Sequence, residues 1–314
     1  MTPAERAAED SLFEEIVDSL NAINGAHPGF RAVHAKGTVC EGSFTASSEA
    51  AGLSRAAHLQ GERVPVTVRL SNASGNPRTS DANPLAGRGM AVKFQPPGDD
   101  ATDLVSIPPP VFLVRTAEDF LALTRGRAPD PETGQPDPEK LGAFLAEHPE
   151  TARALQLTLP AIAPTTSFAT SPYNALHAFA LVDAEGERSW GRFGWVPEAG
   201  VEPLPEEEAS KASRDYLQEE IRERLASGPV RFSLRFTLAA EGDPLDDPTE
   251  PWEGEREVVE LGTLELTDVI EDAEADEPLI FDPMRLSDGI EPSDDPILHA
   301  RPKAYSVSIS RRTT

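Results

Sequence analysis

"VPVTVRLS", residues 64–71, alternates without a break: Val64, Val66, Val68 and Leu70 fall on one side, Pro65, Thr67, Arg69 and Ser71 on the other. Successive side chains of a strand point to opposite faces, so the stretch reads as a strand with one face turned to a core. Its second face carries a cation and a hydroxyl together, at Arg69 and Ser71. Upstream, "RAVHAKG" (31–37) reads as a short strand before a glycine turn, with Arg31 and Val33 on one face and Ala32 and His34 on the other. Downstream, "GMAVKFQ" (89–95) and "VFLVR" (111–115) read as further strands. "LHAFALVD" and "RSWGRFGWVP" read as a strand pair around "AEGE", and "VRFSLRFTLAA" and "REVVELGTLEL" as two more strands.

Helices frame and interrupt these runs. Residues 1–25 predict an amphipathic helix with Thr2 as cap, Pro3 in the first turn, Glu5 completing a capping box and Gly25 near its end. Leu12, Phe13, Ile16, Val17 and Leu20 form its apolar stripe. Residues 116–157 predict short helices broken by the turn-rich "GRAPDPETGQPDP", and residues 205–226 an exposed helix. A terminal helix is expected over 294–312, with Asp294 or Asp295 as cap and Pro296 in first position. Antiparallel strands with helices inserted among them predict an α+β fold, and no composition shift divides residues 1–314 into separate domains.

Composition limits the partners. The 314 residues carry a formal net charge of −26, from 54 acidic and 28 basic side chains. A surface of that sign argues against nucleic acid or an anionic membrane, because phosphates need a basic face. The acidic runs "PLPEEEAS" and "IEDAEADEP" read as solvated loops and helix faces. Cys40 is the single cysteine, so no internal disulfide is possible and a reducing compartment fits. "MTPAERAAED" has no basic region followed by an apolar core, so no secretory signal is expected. No apolar run approaches the ~20 residues of a membrane span. A soluble, cytoplasmic protein is the expectation. Phosphate loop, dinucleotide turn, HExxH and nucleophile elbow are all missing, and the six histidines are scattered without zinc-ligand spacing.

Five motifs then fall in a telling order: "RAVHAKG", "VRLS", "GRGMAVKF", "DLVSIPPPVF" and "RPKAY". In order and character they resemble the motifs of haem catalases, and "DPTEPW" and "FDPMRLSDGIEPSDDPIL" extend the resemblance through nearly the whole chain. The chain resembles a small catalase-related peroxidase, without a long N-terminal arm or room for a C-terminal flavodoxin-like domain. The resemblance implies a catalase-like antiparallel β-barrel with surrounding helices and haem b held between them. It makes His34 the distal histidine, Val33 the valine that narrows the channel beside it, and Ser71 the serine that orients it. Arg31 and Arg69 would bind haem propionates. Tyr305, on the helix over 294–312, would be the axial iron ligand and Arg301 its partner.

The chemistry of these residue types is consistent with that. An iron that reaches high oxidation states is stabilised by an anionic axial ligand. A free phenol ionises only near pH ~10, so a tyrosinate needs the metal and a nearby cation. Arg301 and Tyr305 are four apart, one above the other on a helix. The chain has two other tyrosines, Tyr173 and Tyr216. A distal histidine would shuttle the peroxide proton. Two departures stand out. The asparagine that polarises peroxide in catalases falls on Pro108, after Ile107, and the aromatic that follows appears as Leu113 after Phe112. Pro302 falls inside the terminal helix, where it should kink or restart it.

The function so implied is a haem-dependent peroxidase acting on hydrogen peroxide or organic hydroperoxides with a small reductant, with weak catalatic activity. It would respond to oxidative stress, and the resemblance leaves a homo-oligomer open. The same His34 and Tyr305 would also serve an allene oxide synthase-like enzyme that rearranges fatty-acid hydroperoxides. A non-enzymatic barrel that binds haem or lipid is the alternative from another class.

Overall fold

The computed structural model describes residues 3–130, 133–271 and 279–313. Its strands are β1 (Gly37–Ala46), β2 (Arg63–Asn72), β3 (Arg88–Phe94), β4 (Thr102–Ser106), β5 (Tyr173–Asn174), β6 (Phe179–Val182), β7 (Arg188–Pro197), β8 (Val230–Leu238), β9 (Val258–Val269) and β10 (Ile290–Pro292). They join in one antiparallel sheet, in the order β10-β6-β7-β8-β9-β1-β2-β3-β4, with β5 on β7. An isolated bridge between Ile107, at the exit of β4, and Asn174 of β5 carries the far edge back, so the sheet curls on itself. The helices are α1 (Pro3–Asn24), α2 (Ala50–Leu53), α3 (Ala117–Arg127), α4 (Pro138–Glu147), α5 (Pro149–Ala161), α6 (Glu206–Ala209), α7 (Tyr216–Ser227) and α8 (Pro296–Arg312).

β2 behaves as its alternation requires. Val66, Val68 and Leu70 enter a core with Met90, Val92, Phe94 and Leu104 of the neighbouring strands and with Phe44, Trp195 and Phe232. Register places Leu70 beside Met90 and Ser106, and Arg69 beside Ala91 and Val105. Paired residues share a face, so the core takes the first set and the outer side of the sheet takes the second. On that outer side a second core joins α1, α3 and α8 through Phe13, Ile16, Ala117 and Leu121, with Phe120, Ala300 and Ala304 packed against them. Ion pairs of Glu9 with Lys303, Glu15 with Arg125 and Asp18 with Arg311 line the rim of α1.

Several sequence expectations need correction. Residues 31–36 form no strand; the chain bends there, and β1 begins only at Gly37. "VFLVR" is also irregular, because Val114 is buried against Leu123, Phe144 and Ile297 instead of pairing in the sheet. The three prolines just before it supply no ladder donors. Residues 205–226 split into α6 and α7, and α7 buries Leu217, Ile221 and Leu225. α8 runs unbroken through Pro302, because Asp295 caps it and Ile297 and Leu298 bury its first turn. Thr2 and the acidic run from residue 272 to 278 lie outside the described residues. Gly25 ends α1 with a φ of +84°, its N–H on the Asn21 carbonyl at 2.8 Å.

One buried polar group in the core makes stability depend on pH. His58 is stacked on Phe94 with ring centroids 4.4 Å apart, and its Nδ1 is buried without a partner. Burial pushes it down from 6.5 to about 4. The unfolded chain therefore takes up the proton first, so this contribution is full above pH 6.5 and is lost as pH falls toward 4. Urea unfolding of His58→Phe at pH 7 and pH 5 should show a stability loss about 1–2 kcal/mol smaller than in the parent. An equal loss in both would contradict the assignment.

Candidate active site

Between the outer face of β2–β4 and the helices α1, α3 and α8 lies a cavity in which the centre of a water molecule can occupy about 290 Å³. Seven residues singled out from the motifs border it: Arg31, Val33, His34, Arg69, Ser71, Arg301 and Tyr305.

His34 arrives on the bent segment rather than on a strand. Its φ is +56°, one of two positive values among the described non-glycine residues; the other, Leu176 at +65°, also borders the cavity. Such a conformation costs energy and persists only where its surroundings enforce it. Here the His34 N–H bonds to the Ala73 carbonyl at 3.2 Å and the Ala35 N–H to the Ser74 carbonyl at 3.0 Å. Arg69 Nη1 donates to the His34 carbonyl at 2.9 Å. Gly75 admits the Ala32 carbonyl oxygen, which would lie 2.0 Å from a Cβ at that position.

The imidazole borders the cavity with protein packed around it. Nδ1 lies 2.9 Å from Ser71 Oγ, which donates to the Gly89 carbonyl at 3.4 Å. With the serine proton used there, Ser71 accepts from Nδ1–H, and Nε2 is left as an acceptor. Burial, then the charges of Arg69, Arg301 and Arg31, push His34 down from 6.5 to about 3. The ring is neutral at physiological pH.

α8 supplies the second set. The Tyr305 phenol oxygen accepts from Arg301 Nη2 at 2.7 Å and from Nε at 3.0 Å. Arg301 Nη1 lies 3.0 Å from His177 Nε2, and His177 Nδ1 lies 2.5 Å from Asp295 Oδ2. The other Asp295 oxygen caps α8 by accepting from Ile297 and Leu298 N–H. Arginine has only donors, so Nε2 accepts and the proton of His177 sits on Nδ1, facing Asp295. Burial holds His177 below its ordinary value against the pull of that carboxylate. The result is a chain of four side chains ending on the phenol.

Sequence reasoning missed His177, read only as part of a strand, and the inward oxygen of Asp295, read only as a cap. It also missed Arg312, seven residues beyond Tyr305 and so two turns along the same helix face. Arg312 Nη2 and Arg31 Nη2 meet on the Leu279 carbonyl, at 3.1 and 3.0 Å. The assignment of the distal wall to Pro108 is corrected as well. Ile107 and Phe112 border the cavity, whereas Pro108 and Leu113 do not. Strand parity explains this: Ile107 is two residues beyond Val105 and shares its outward face. The Pro108 carbonyl is instead held by Asn174 Nδ2 at 2.7 Å.

The residues suit a flat, largely apolar, carboxylate-bearing iron group. Ala300 and Ala304 clear space on α8 beside Tyr305, and Phe13, Ile16, Val17 and Phe120 give apolar walls. Arg31, Arg69 and Arg312 bring cations suited to carboxylates. The two guanidinium N–H bonds fix the position of the Tyr305 phenol oxygen, and tyrosine is an iron ligand in haem proteins.

Comparison with known proteins agrees with this description. The family model described as Catalase matches residues 14–314. The chain is 39% identical to a catalase-related peroxidase of Mycolicibacterium paratuberculosis, over 96% of this chain and 94% of that protein. It is 36% identical to one of Synechococcus elongatus, over 96% and 88%. Catalase A from Saccharomyces cerevisiae superposes with a TM-score of 0.81 at 22% identity, covering 94% of this chain and 64% of that one. The fold is therefore that of a catalase barrel. The chain belongs to the catalase family, whose members use haem.

Gly89 tests the geometry around His34. A Cβ there would lie 2.6 Å from His34 Cε1 and 2.9 Å from Ser71 Oγ. Gly89→Ala should force the ring off Ser71 and lower the unfolding free energy by about 1–3 kcal/mol. A thermal melt unchanged from the parent would show that the ring is not seated as described.

Proposed function

We propose that the chain is a haem b-dependent peroxidase, acting as one haem domain, that reduces hydrogen peroxide or organic hydroperoxides with a small electron donor. It is an oxidoreductase by family. The observation that carries the finer reading is that one cavity holds both a neutral histidine oriented by a serine and a phenol oriented by an arginine. Haem, when bound, supplies an iron centre that accepts electrons from the donor and passes them into the O–O bond.

The protein's own residues do the rest. Tyr305 is the ligand, and Arg301, backed by His177 and Asp295, holds its oxygen in place. Arg31, Arg69 and Arg312 bind the haem carboxylates, and Val33 narrows the approach to His34. His34 Nε2 takes the proton from one peroxide oxygen and gives it to the other, which leaves as water or an alcohol. Overall, one hydroperoxide, two electrons and two protons yield one alcohol or water and one further water. A buried, free Cys40 fits work in the cytoplasm.

Ile107 bears on the balance of activities. Its side chain can donate no hydrogen bond, so this position of the wall supplies no group to polarise peroxide beside His34. Oxidation of a second peroxide, which must be held and stripped of both hydrogens, suffers most, and donor oxidation dominates over oxygen release. A rearranging enzyme for fatty-acid hydroperoxides would use the same two residues, and the apolar wall of α1 is the observation in its favour. Product analysis with such a substrate separates the two: an alcohol supports the peroxidase, a rearranged epoxide the alternative.

His34→Ala in the holoenzyme should keep its haem but slow peroxide-dependent oxidation of a chromogenic donor by at least about 100-fold. An unchanged rate would make His34 structural only. Ile107→Asn should raise oxygen release relative to donor oxidation. Parent protein that evolves oxygen rapidly and oxidises no donor would overturn this reading of the wall.

A further inference from the structure

We propose that Arg69 is a positioning residue for His34, clamping the strained backbone that presents the imidazole. The carboxylate-binding part assigned above uses the charge of Arg69; this second part uses its geometry, and it rests on the proposed role of His34 as proton carrier.

His34 sits at a φ of +56°. An L-residue with a Cβ resists that region, so something outside the segment must hold it. Arg69 does so across two consecutive peptide groups: Nη1 donates to the His34 carbonyl at 2.9 Å and Nη2 to the Ala35 carbonyl at 3.4 Å. A planar guanidinium spans two adjacent acceptors in a way that a single ammonium does not. The space for it is also prepared. A Cβ on Gly37 would stand 2.7 Å from Arg69 Cζ and 2.8 Å from Nη2, so the guanidinium occupies room that any other residue would fill. Arg69 is 3% exposed, and its strand aims Ser71, two residues on, at Nδ1 of the same histidine. One strand face thus grips His34 by its backbone and by its ring.

The clamp also carries a charge. The groups acting on His34 are cations, Arg69 and Arg31 from the barrel side and Arg301 from α8, and they add to burial in keeping the ring neutral. Geometry and charge can be separated by substitution. Arg69→Lys keeps the charge and loses the two-carbonyl span, whereas Arg69→Met loses both.

The test is the association rate of cyanide with the ferric holoenzyme between pH 5.5 and 8, with haem content measured on the same samples. Hydrogen cyanide must give up its proton on binding, so the rate reads the presence, placement and neutrality of His34. The parent should be fast, with a flat profile. Arg69→Lys should be at least about tenfold slower, with the profile still flat. Arg69→Met should be slower again, with the profile still near flat, because burial is the larger cause of the low His34 pKa and remains in the variant. Haem-bound Arg69→Lys and Arg69→Met with parental rates, whatever their haem content, would reduce Arg69 to a carboxylate holder and overturn the proposal. His34→Ala is the control: a parental rate there would instead overturn the proton-carrier reading on which the proposal rests.

Discussion

Strand β2 must bury valines on one side while it holds a cation and a hydroxyl on the other, and the site is built on that division. Val66, Val68 and Leu70 commit one face to the barrel core. Arg69 and Ser71 are thereby turned outward, where Ser71 meets His34 Nδ1 and Arg69 meets its carbonyl. A one-residue slip of register would put both polar groups in the core and the valines in the cavity. Hydrophobic burial, the strongest term in folding, thus also sets the position of the histidine.

The helix side obeys a different constraint. Arg301 and Tyr305 meet because one helical turn separates them, and Arg301 is held from behind by His177 and Asp295. Asp295 uses one oxygen to start α8 and the other to hold His177, so the beginning of the helix and the chain of contacts behind the phenol depend on the same carboxylate. The protein as a whole is strongly acidic, yet the cavity is bordered by Arg31, Arg69, Arg301 and Arg312. That inversion suits a cofactor that brings its own carboxylates and a histidine that must stay neutral.

Much of this was legible in the sequence, and the misses have physical causes. The alternation of β2, the capping of α8 by Asp295 and the four-residue step from Arg301 to Tyr305 are local, so periodicity reveals them. The bend at 31–36 is not local: the backbone of His34 is forced by Arg69, Ala73 and Gly75, none of which a heptapeptide displays. His177 stands 118 positions from Asp295, beyond the reach of any spacing argument. The motif alone points to Pro108 as the distal wall, whereas strand parity, applied from Val105, leads to Ile107. Pro302 on its own predicts a kink or restart in α8, but one missing backbone bond is outweighed by the cap and the buried first turn.

The central claim is that Tyr305, held by Arg301, is the anionic ligand of a haem in this cavity. Resonance Raman spectroscopy of the ferric protein purified from haem-replete cells, compared with Tyr305→Phe, addresses it most directly. Iron–phenolate bands with a high-spin ferric signature in the parent, absent from the variant, are the expected result. A parent protein with no haem, or with haem whose spectrum lacks phenolate bands or is unchanged by the substitution, would contradict the account.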